Sequence, residues 1–243
     1  MAIPRLYCPE RLAPGTVLAL PDKAAHHATR VLRMRAGETI ILFNGDGLDY
    51  QAEILRIGKD GVTAKVRSSH ATARESPLHI TLAQAISSGD RMDLTLQKAV
   101  ELGVAAILTL ATERSVVKLS GERAERRHEH WQSVVASACE QSGRAIVPPV
   151  SPPVTLQNWL GSRPEFAHRI MLSPAANQSL HHLPAPTGPV CLLVGCEGGF
   201  SPPELGMAES CGFIPVRLGA RVLRTESAAL AALAAMQTLW GDF

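Results

Sequence analysis

Two periodicities divide the chain. From His79 onward, short apolar runs of strand length alternate with longer segments whose apolar positions recur at helical spacing. HITLAQAI (79–86), AAILTL (105–110), HRIML (168–172), VCLLVG (190–195) and FIPVRL (213–218) read as strands. Between them, the stretch around MDLTLQKAVELG (92–103) reads as a helix stopped by Gly103. RHEHWQSVVASACEQSG (127–143) places Trp131, Val134, Val135, Ala138 and Cys139 on one helical face and ends at Gly143. The last segment, ESAALAALAAMQTLW (226–240), has no charge after Glu226 and predicts a helix buried against the sheet or a second subunit. Strands alternating with helices predict an α/β domain with a mostly parallel sheet.

The chain ahead of residue 72 follows the other pattern. Short β-prone runs in 39–66 are punctuated by Asn44-Gly45, Asp46-Gly47 and Asp60-Gly61, dipeptides that signal hairpins. A compact barrel or barrel-like sheet is expected. Just before it, KAAHHATRVLRMRAGE (23–38) predicts a short helix and turn carrying His26, His27, Arg30, Arg33 and Arg35. The small, polar link SSHATARESP (68–77) marks a boundary between a β domain over 1–72 and an α/β domain over 75–243. The second of these is expected to fold and bind its ligand alone.

Composition changes this picture in three places. The net charge of +2 over 243 residues excludes a global polycation built for nucleic acid. Residues 1–72 nevertheless hold ten Lys/Arg against seven Asp/Glu, so the His27–Arg35 cluster is either a solvated helix face or a phosphate-contact patch. The basic residues are nineteen Arg and five Lys, a bias that suits forked contacts to anions and equally suits a GC-rich genome. The five cysteines are scattered without a C-x-x-C pair, which predicts a reducing compartment and no metal site. No signal-like stretch opens the chain and no apolar run has membrane-spanning length, so a cytoplasmic protein without a membrane partner is expected.

The chemistry concentrates in two strand-to-helix loops. LVGCEGGFSPPEL (193–205) runs from a strand into a glycine bend and then a helix start, with Ser201 as cap, Pro202 in the first turn and Glu204 placed to bond back. A Walker loop needs Lys and a hydroxyl after the last glycine, where Phe200 stands, and a dinucleotide fingerprint needs a different glycine spacing. Glu197 inside the loop opposes a phosphate and suits a cationic or hydroxyl-bearing ligand. A tight turn without ligand remains the alternative for this loop taken alone. The second loop, LGARVLRTES (218–227), sets Arg221, Arg224, Thr225, Glu226 and Ser227 together, a set that fits neither a core nor a simple surface ion pair.

LVGCEGGFSPPEL and LGARVLRTESAALAAL together resemble the signature stretches of the RsmE family. The resemblance extends, in order, through HHATRVLRMRAGETIILFNGDG, KAVELGVAAILTLATERSVVK and WQSVVASACEQSGRAIVPPV, and so covers nearly the whole chain. Cys196 stands where the family usually has proline, and Ser227 where threonine is common. Members are SPOUT-superfamily methyltransferases that move a methyl group from S-adenosyl-L-methionine (SAM) to N3 of one uridine in 16S rRNA. The resemblance implies an α/β SPOUT methyltransferase domain with a C-terminal trefoil knot, preceded by a small PUA-like β-barrel domain for RNA. It also implies a homodimer whose second subunit completes the RNA site.

By the same resemblance, cofactor contacts fall on Leu172, Val194, Gly195, Glu197, Gly199, Leu218, Leu223, Arg224, Thr225 and Ala228. Uracil N3–H must lose its proton before N3 attacks, so the reaction needs a cation near the developing charge and a proton acceptor. Arg224 is the candidate for the first role, and Glu226 or Glu197, water or an RNA phosphate for the second. RNA contacts are expected from His27, Arg30, Arg33, Arg35, Arg114 and Arg144, the last equally a candidate to meet a partner subunit, with Lys118, Arg123, Arg126 and Arg127 as extensions of the track. Glu101 and Glu140 read equally as helix-end solvation and as site residues. Two other functions compete: a nonenzymatic ribosome-binding module, and a related enzyme acting on a ribose 2′-hydroxyl or another base.

Overall fold

The computed structural model describes residues 3–162 and 164–243. The chain forms two compact units, one of residues up to Glu75 with Cys139–Val147, the other of Ser76–Ala138 with Pro148–Phe243.

In the first unit, β1 (Arg5–Tyr7), β2 (Val17–Ala19), β3 (Thr39–Phe43), β4 (Leu48–Gly58) and β5 (Gly61–Ala71) make one sheet in the order β1-β3-β4-β5-β2. β3, β4 and β5 are an antiparallel meander, and β1 joins β3 in parallel. Side chains shape the first turn: Asn44 Oδ1 accepts from the Asp46 N–H at 3.1 Å, and Asp46 accepts from the Leu48 N–H at 3.0 Å and the Tyr50 hydroxyl at 2.6 Å. Ile40 and Leu42, Ala52 and Ile54, and Val62, Ala64 and Val66 point alternately into one core. A short helix, α1 (Asp22–His26), passes into a π-helical turn (His27–Val31), and Ala24, Ala25 and Ala28 close that core.

Two sequence expectations change here. Ser68–Ala71, expected in a link, belong to β5 and pair with Leu48–Gln51. Arg67–Ala71 are all exposed, so ladder hydrogen bonds hold this end and no apolar alternation announces it. The unit's first stretch ends at Glu75, within the expected link, but Cys139–Val147 groups with it as well. The Arg144 guanidinium, 4% exposed, is bound by Glu75 at 2.5 and 3.0 Å. Arg5 pairs with Asp49 and donates to the Arg144 carbonyl at 3.0 Å, while the Tyr7 N–H donates to Glu140 at 2.8 Å. A buried guanidinium needs such partners. Arg144 is therefore a structural cation and not an RNA contact, and a fragment beginning at residue 75 strips its segment of Arg5, Tyr7 and Asp49.

The second unit follows the predicted alternation. Its elements are β6 (Ile80–Ala85), α2 (Gly89–Glu101), β7 (Ala106–Ala111), α3 (Gly121–Ser142, up to Ala138 in this unit), β8 (Val154–Thr155), α4 (Leu156–Gly161), β9 (His168–Leu172), β10 (Val190–Val194), α5 (Pro202–Ser210), β11 (Ile214–Val216) and α6 (Thr225–Trp240). All six strands are parallel, in the order β11-β9-β10-β6-β7-β8. Every residue of β10 is buried, as expected for a central strand covered on both faces. The order runs outward in both directions from β6 and β10. Ligands of such open sheets bind beyond the carboxyl ends of the strands at such a switch point.

α6 packs on α2, and Gln237, fully buried, accepts from the Ser76 hydroxyl and donates to the Leu102 carbonyl, both at 2.8 Å. Ala229, Ala232, Leu233 and Met236 of α6 are buried within this unit. Among the described residues no helix is long and apolar enough to cross a membrane.

Candidate functional site

β9, β10 and β11 are neighbours, so Leu172, Val194–Gly195 and Leu218 come to one edge of the sheet. The start of α6 joins them: the Thr225 hydroxyl donates to the Gly195 carbonyl at 2.6 Å. The two loops singled out in the sequence therefore meet. Leu172, Leu218, Leu223 and Ala228 are half-buried around this junction.

The loop after β10 is tied on every side. A Cβ on Gly195 would lie 3.1 Å from the Gly199 Cα, so a side chain there would crowd the backbone of the bend. Gly199 itself has φ +65, in the left-handed region. The Glu197 carboxylate accepts from the Ser88 N–H at 3.0 Å, the Ser88 hydroxyl at 2.8 Å and Arg91 at 2.9 Å. Burial alone raises its pKa, but hydrogen bonds from the Ser88 and Glu197 backbone, the Ser88 hydroxyl and Arg91 outweigh that and hold it down to about 2. Glu197 is consequently a weak proton acceptor, and its hydrogen bonds fasten the loop to the start of α2.

Further along, the Arg114 guanidinium donates to the Gly198 carbonyl at 2.9 Å, and Cys196 lies buried within 3.7 Å of the Thr112 hydroxyl. The capping box at α5 forms as its sequence predicts. Glu204 accepts from the Ser201 N–H at 2.8 Å while Ser201 accepts from the Glu204 N–H at 3.4 Å. Glu204 also accepts from the Glu113 N–H at 2.8 Å, which anchors the helix start to the segment after β7.

The loop before α6 is different. Arg217, Gly219, Ala220, Arg221, Val222 and Arg224 are exposed, with Val222 at 78%. Arg224 occupies the N-cap position of α6, next to Thr225 and two residues from Glu226. One oxygen of Glu226, Oε2, is buried without a hydrogen-bond partner among the described residues. The arrangement offers an exposed cation and an unengaged carboxylate oxygen on one helical turn, beside a rigid glycine bend.

The other expected RNA contacts are spread more widely. Arg30, Arg33 and Arg35 are exposed and His27 is half-buried on the π-helical turn and its exit. Arg33 has φ +54, an uncommon conformation for a bulky residue and a mark of local strain at a basic surface. Arg114 is exposed but half committed to Gly198. Arg123, Arg126 and Arg127 line an open basin of about 660 Å³ with Ser120, Glu122 and His130, though Arg126 pairs with Glu122 at 2.7 Å. Glu101 is bonded to Lys98 at 2.8 Å. The sequence reading missed Gln84 in β6, Ser88 and Arg91 at the start of α2, and Glu113 after β7, which brace the loops. Only Gln84, a lone amide in an apolar run, carried a local signal. Among the described residues no three His, Cys, Asp or Glu side chains could share a metal ion.

Comparison with known proteins adds the family. Residues 74–237 match an RNA methyltransferase domain, and residues 20–67 match an RNA methyltransferase PUA domain. A ribosomal RNA small subunit methyltransferase E of Buchnera aphidicola subsp. Acyrthosiphon pisum is 33% identical over 99% of this chain and 95% of its own. A ribosomal RNA small subunit methyltransferase E from Neisseria gonorrhoeae, solved bound to S-adenosyl methionine, is 46% identical with a TM-score of 0.92 over 100% of both chains. A Legionella pneumophila protein solved with the cofactor SAM bound is 40% identical with a TM-score of 0.96, again over 100% of both chains. With the parallel sheet and its joined loops, these matches establish that the chain belongs to the ribosomal RNA small subunit methyltransferase E family of RNA methyltransferases.

Proposed function

We propose that this protein transfers the methyl group of SAM to N3 of one uridine in the 16S rRNA of the small ribosomal subunit. The observation that carries this reading is the Thr225–Gly195 hydrogen bond, which locks a glycine bend to the turn bearing Arg224 and Glu226. The residues at the junction fit such a cofactor. Gly195 and Gly199 are half-buried with open space where a Gly199 Cβ would lie, half-buried Leu172, Leu218, Leu223 and Ala228 supply apolar walls, and Glu226 Oε2 is an acceptor without a partner among the described residues. When bound, SAM supplies an electrophilic methyl group.

The chain's own residues prepare the nucleophile. Arg224 stabilises the negative charge that builds on the uracil carbonyls as N3 loses its proton. Glu226 is favoured over Glu197 as the proton acceptor, because its Oε2 is unengaged whereas Glu197 is held as a low-pKa carboxylate. In the same reading the C-terminal segment is threaded as the family's knot and the protein works in the cytoplasm. Arg30, Arg33 and Arg35 contact RNA phosphates; replacing all three with alanine should weaken substrate binding and lower its salt slope by about one unit per lost contact. A homodimer through the end of α6 is supported by Leu239 and Phe243, 46% and 63% exposed. A fully active monomer in sedimentation at micromolar concentration would remove the dimer.

The test uses purified protein, labelled SAM and small subunits from a strain lacking the gene. Nucleoside analysis should find N3-methyluridine as the sole product. Methylation of a ribose oxygen, or equal activity on protein-free RNA, would overturn the proposed reaction or substrate.

A further inference from the structure

Gln84 sits in β6 with no exposed surface, flanked in sequence by alanines. Its amide nitrogen faces three acceptors: the Ala85 carbonyl at 3.0 Å, the Thr225 hydroxyl at 3.1 Å and the Gly195 carbonyl at 3.4 Å. The orientation of the amide is forced, since a flipped side chain would set its oxygen against two carbonyl oxygens. The Thr225 hydroxyl, accepting from Gln84, has its own proton directed to Gly195. The relay thus has one direction, from amide N–H to hydroxyl and from hydroxyl to carbonyl. It brings together the end of β6, the bend after β10 and the start of α6. On its other side Gln84 Oε1 is buried with no partner among the described residues.

We infer that Gln84 is a positioning residue for methyl transfer, holding the two cofactor loops in one register through the Thr225 hydroxyl and the Gly195 carbonyl. The inference rests on the reading that these loops hold SAM. Arg224 precedes Thr225 and Glu226 follows it, so the hydrogen bond that fixes Thr225 also fixes the turn that carries both charged groups. Gln84 acts on the reaction through that turn and needs no contact with either substrate.

The test is Gln84→Met in the full-length protein. Methionine keeps the length and removes both the N–H donors and the unpaired acceptor, so the fold should tolerate it. The expected result is a thermal midpoint within a few degrees of wild type, a Kd for SAM raised about tenfold, and a fall in kcat without a matching rise in KM for the ribosomal subunit. Gln84→Glu, whose carboxylate cannot donate, should lose at least as much. A Gln84→Met/Thr225→Val double variant should lose no more than the worse single variant, because both break one relay. Wild-type SAM affinity and kcat in a folded Gln84→Met, additive losses in the double variant, or affinity that falls only in step with the thermal midpoint would each overturn the inference. Gly195→Val separates this from the underlying reading. Normal SAM binding by Gly195→Val would sink the loop assignment itself, whereas its failure beside a normal Gln84→Met would sink only the role of Gln84.

Discussion

The loops after β10 and before α6 meet at one hydrogen bond, yet they are built in opposite ways. The first spends its polar groups on the protein: Gly195 is held by Thr225 and Gln84, Glu197 by Ser88 and Arg91, Gly198 by Arg114, and Glu204 by Glu113. The second leaves Arg217, Arg221, Val222 and Arg224 exposed. A rigid bend presents a fixed backbone to a cofactor and loses little freedom on binding. An exposed cation at the tip of an anchored helix meets an incoming anion or a developing charge. Charged residues inside a glycine loop therefore do not by themselves mark chemistry; what matters is whether their partners belong to the protein.

That contrast can be broken by substitution. Arg224→Ala should produce the largest effect, a fall of about a hundredfold or more in the rate of methyl transfer, the usual cost of losing one preorganised charge-stabilising donor. It is measured by single-turnover kinetics on small subunits, and a rate within threefold of wild type would remove Arg224 from the reaction. Arg114→Ala should act on the other loop, weakening SAM binding by about three- to tenfold through the lost bond to Gly198. Titration calorimetry reads that change, and an effect on RNA affinity alone would make Arg114 an RNA contact after all. Arg221→Ala, in the exposed loop but away from the helix cap, should lower RNA affinity by about threefold or less and flatten the salt slope by about one unit.

The smallest effect is expected at Glu197 and is set by pH. Its folded pKa lies below the unfolded value near 4.5, so its contribution to stability is complete above about pH 4.5 and is lost as pH falls through about 2. The difference in thermal midpoint between wild type and Glu197→Gln should be constant from pH 8 to 5 and shrink as the pH is lowered further. A difference that instead changes between pH 6 and 8 would mean that Glu197 titrates as a poised base.

Local signals in the sequence were legible and distant ones were not. Ser201, Pro202 and Glu204 lie within four residues, and their capping box is visible in the letters. VCLLV is a continuous apolar run and HRIML ends in one, and β9 and β10 occupy the same spans. The second bond of Glu204, to a backbone N–H ninety-one residues earlier, has no counterpart in any short pattern. Arg144 misled for the same reason. Standing after Gly143 it looks like a free cation, because its carboxylate partner lies sixty-nine residues away. Ser68–Ala71 failed differently, since a strand held only by its ladder carries no apolar period to read.

The membership of Cys139–Val147 in the first unit has a consequence for the order in which the protein is made. The chain up to Glu75 leaves the ribosome without Glu140, Arg144 and Ala145, which bond to Tyr7, Arg5 and Gly47. Seventy-two further residues must be synthesised before Val147 follows Glu75, about 4 to 14 s at roughly 5–20 residues per second. During that interval all five strands of the sheet have been made, but Arg5 and Glu75 lack their partner Arg144. The RNA-facing unit of this enzyme is thus finished only after much of the catalytic unit's first half has emerged, and a nascent chain arrested between residues 75 and 139 should be more sensitive to proteases than one arrested beyond 147.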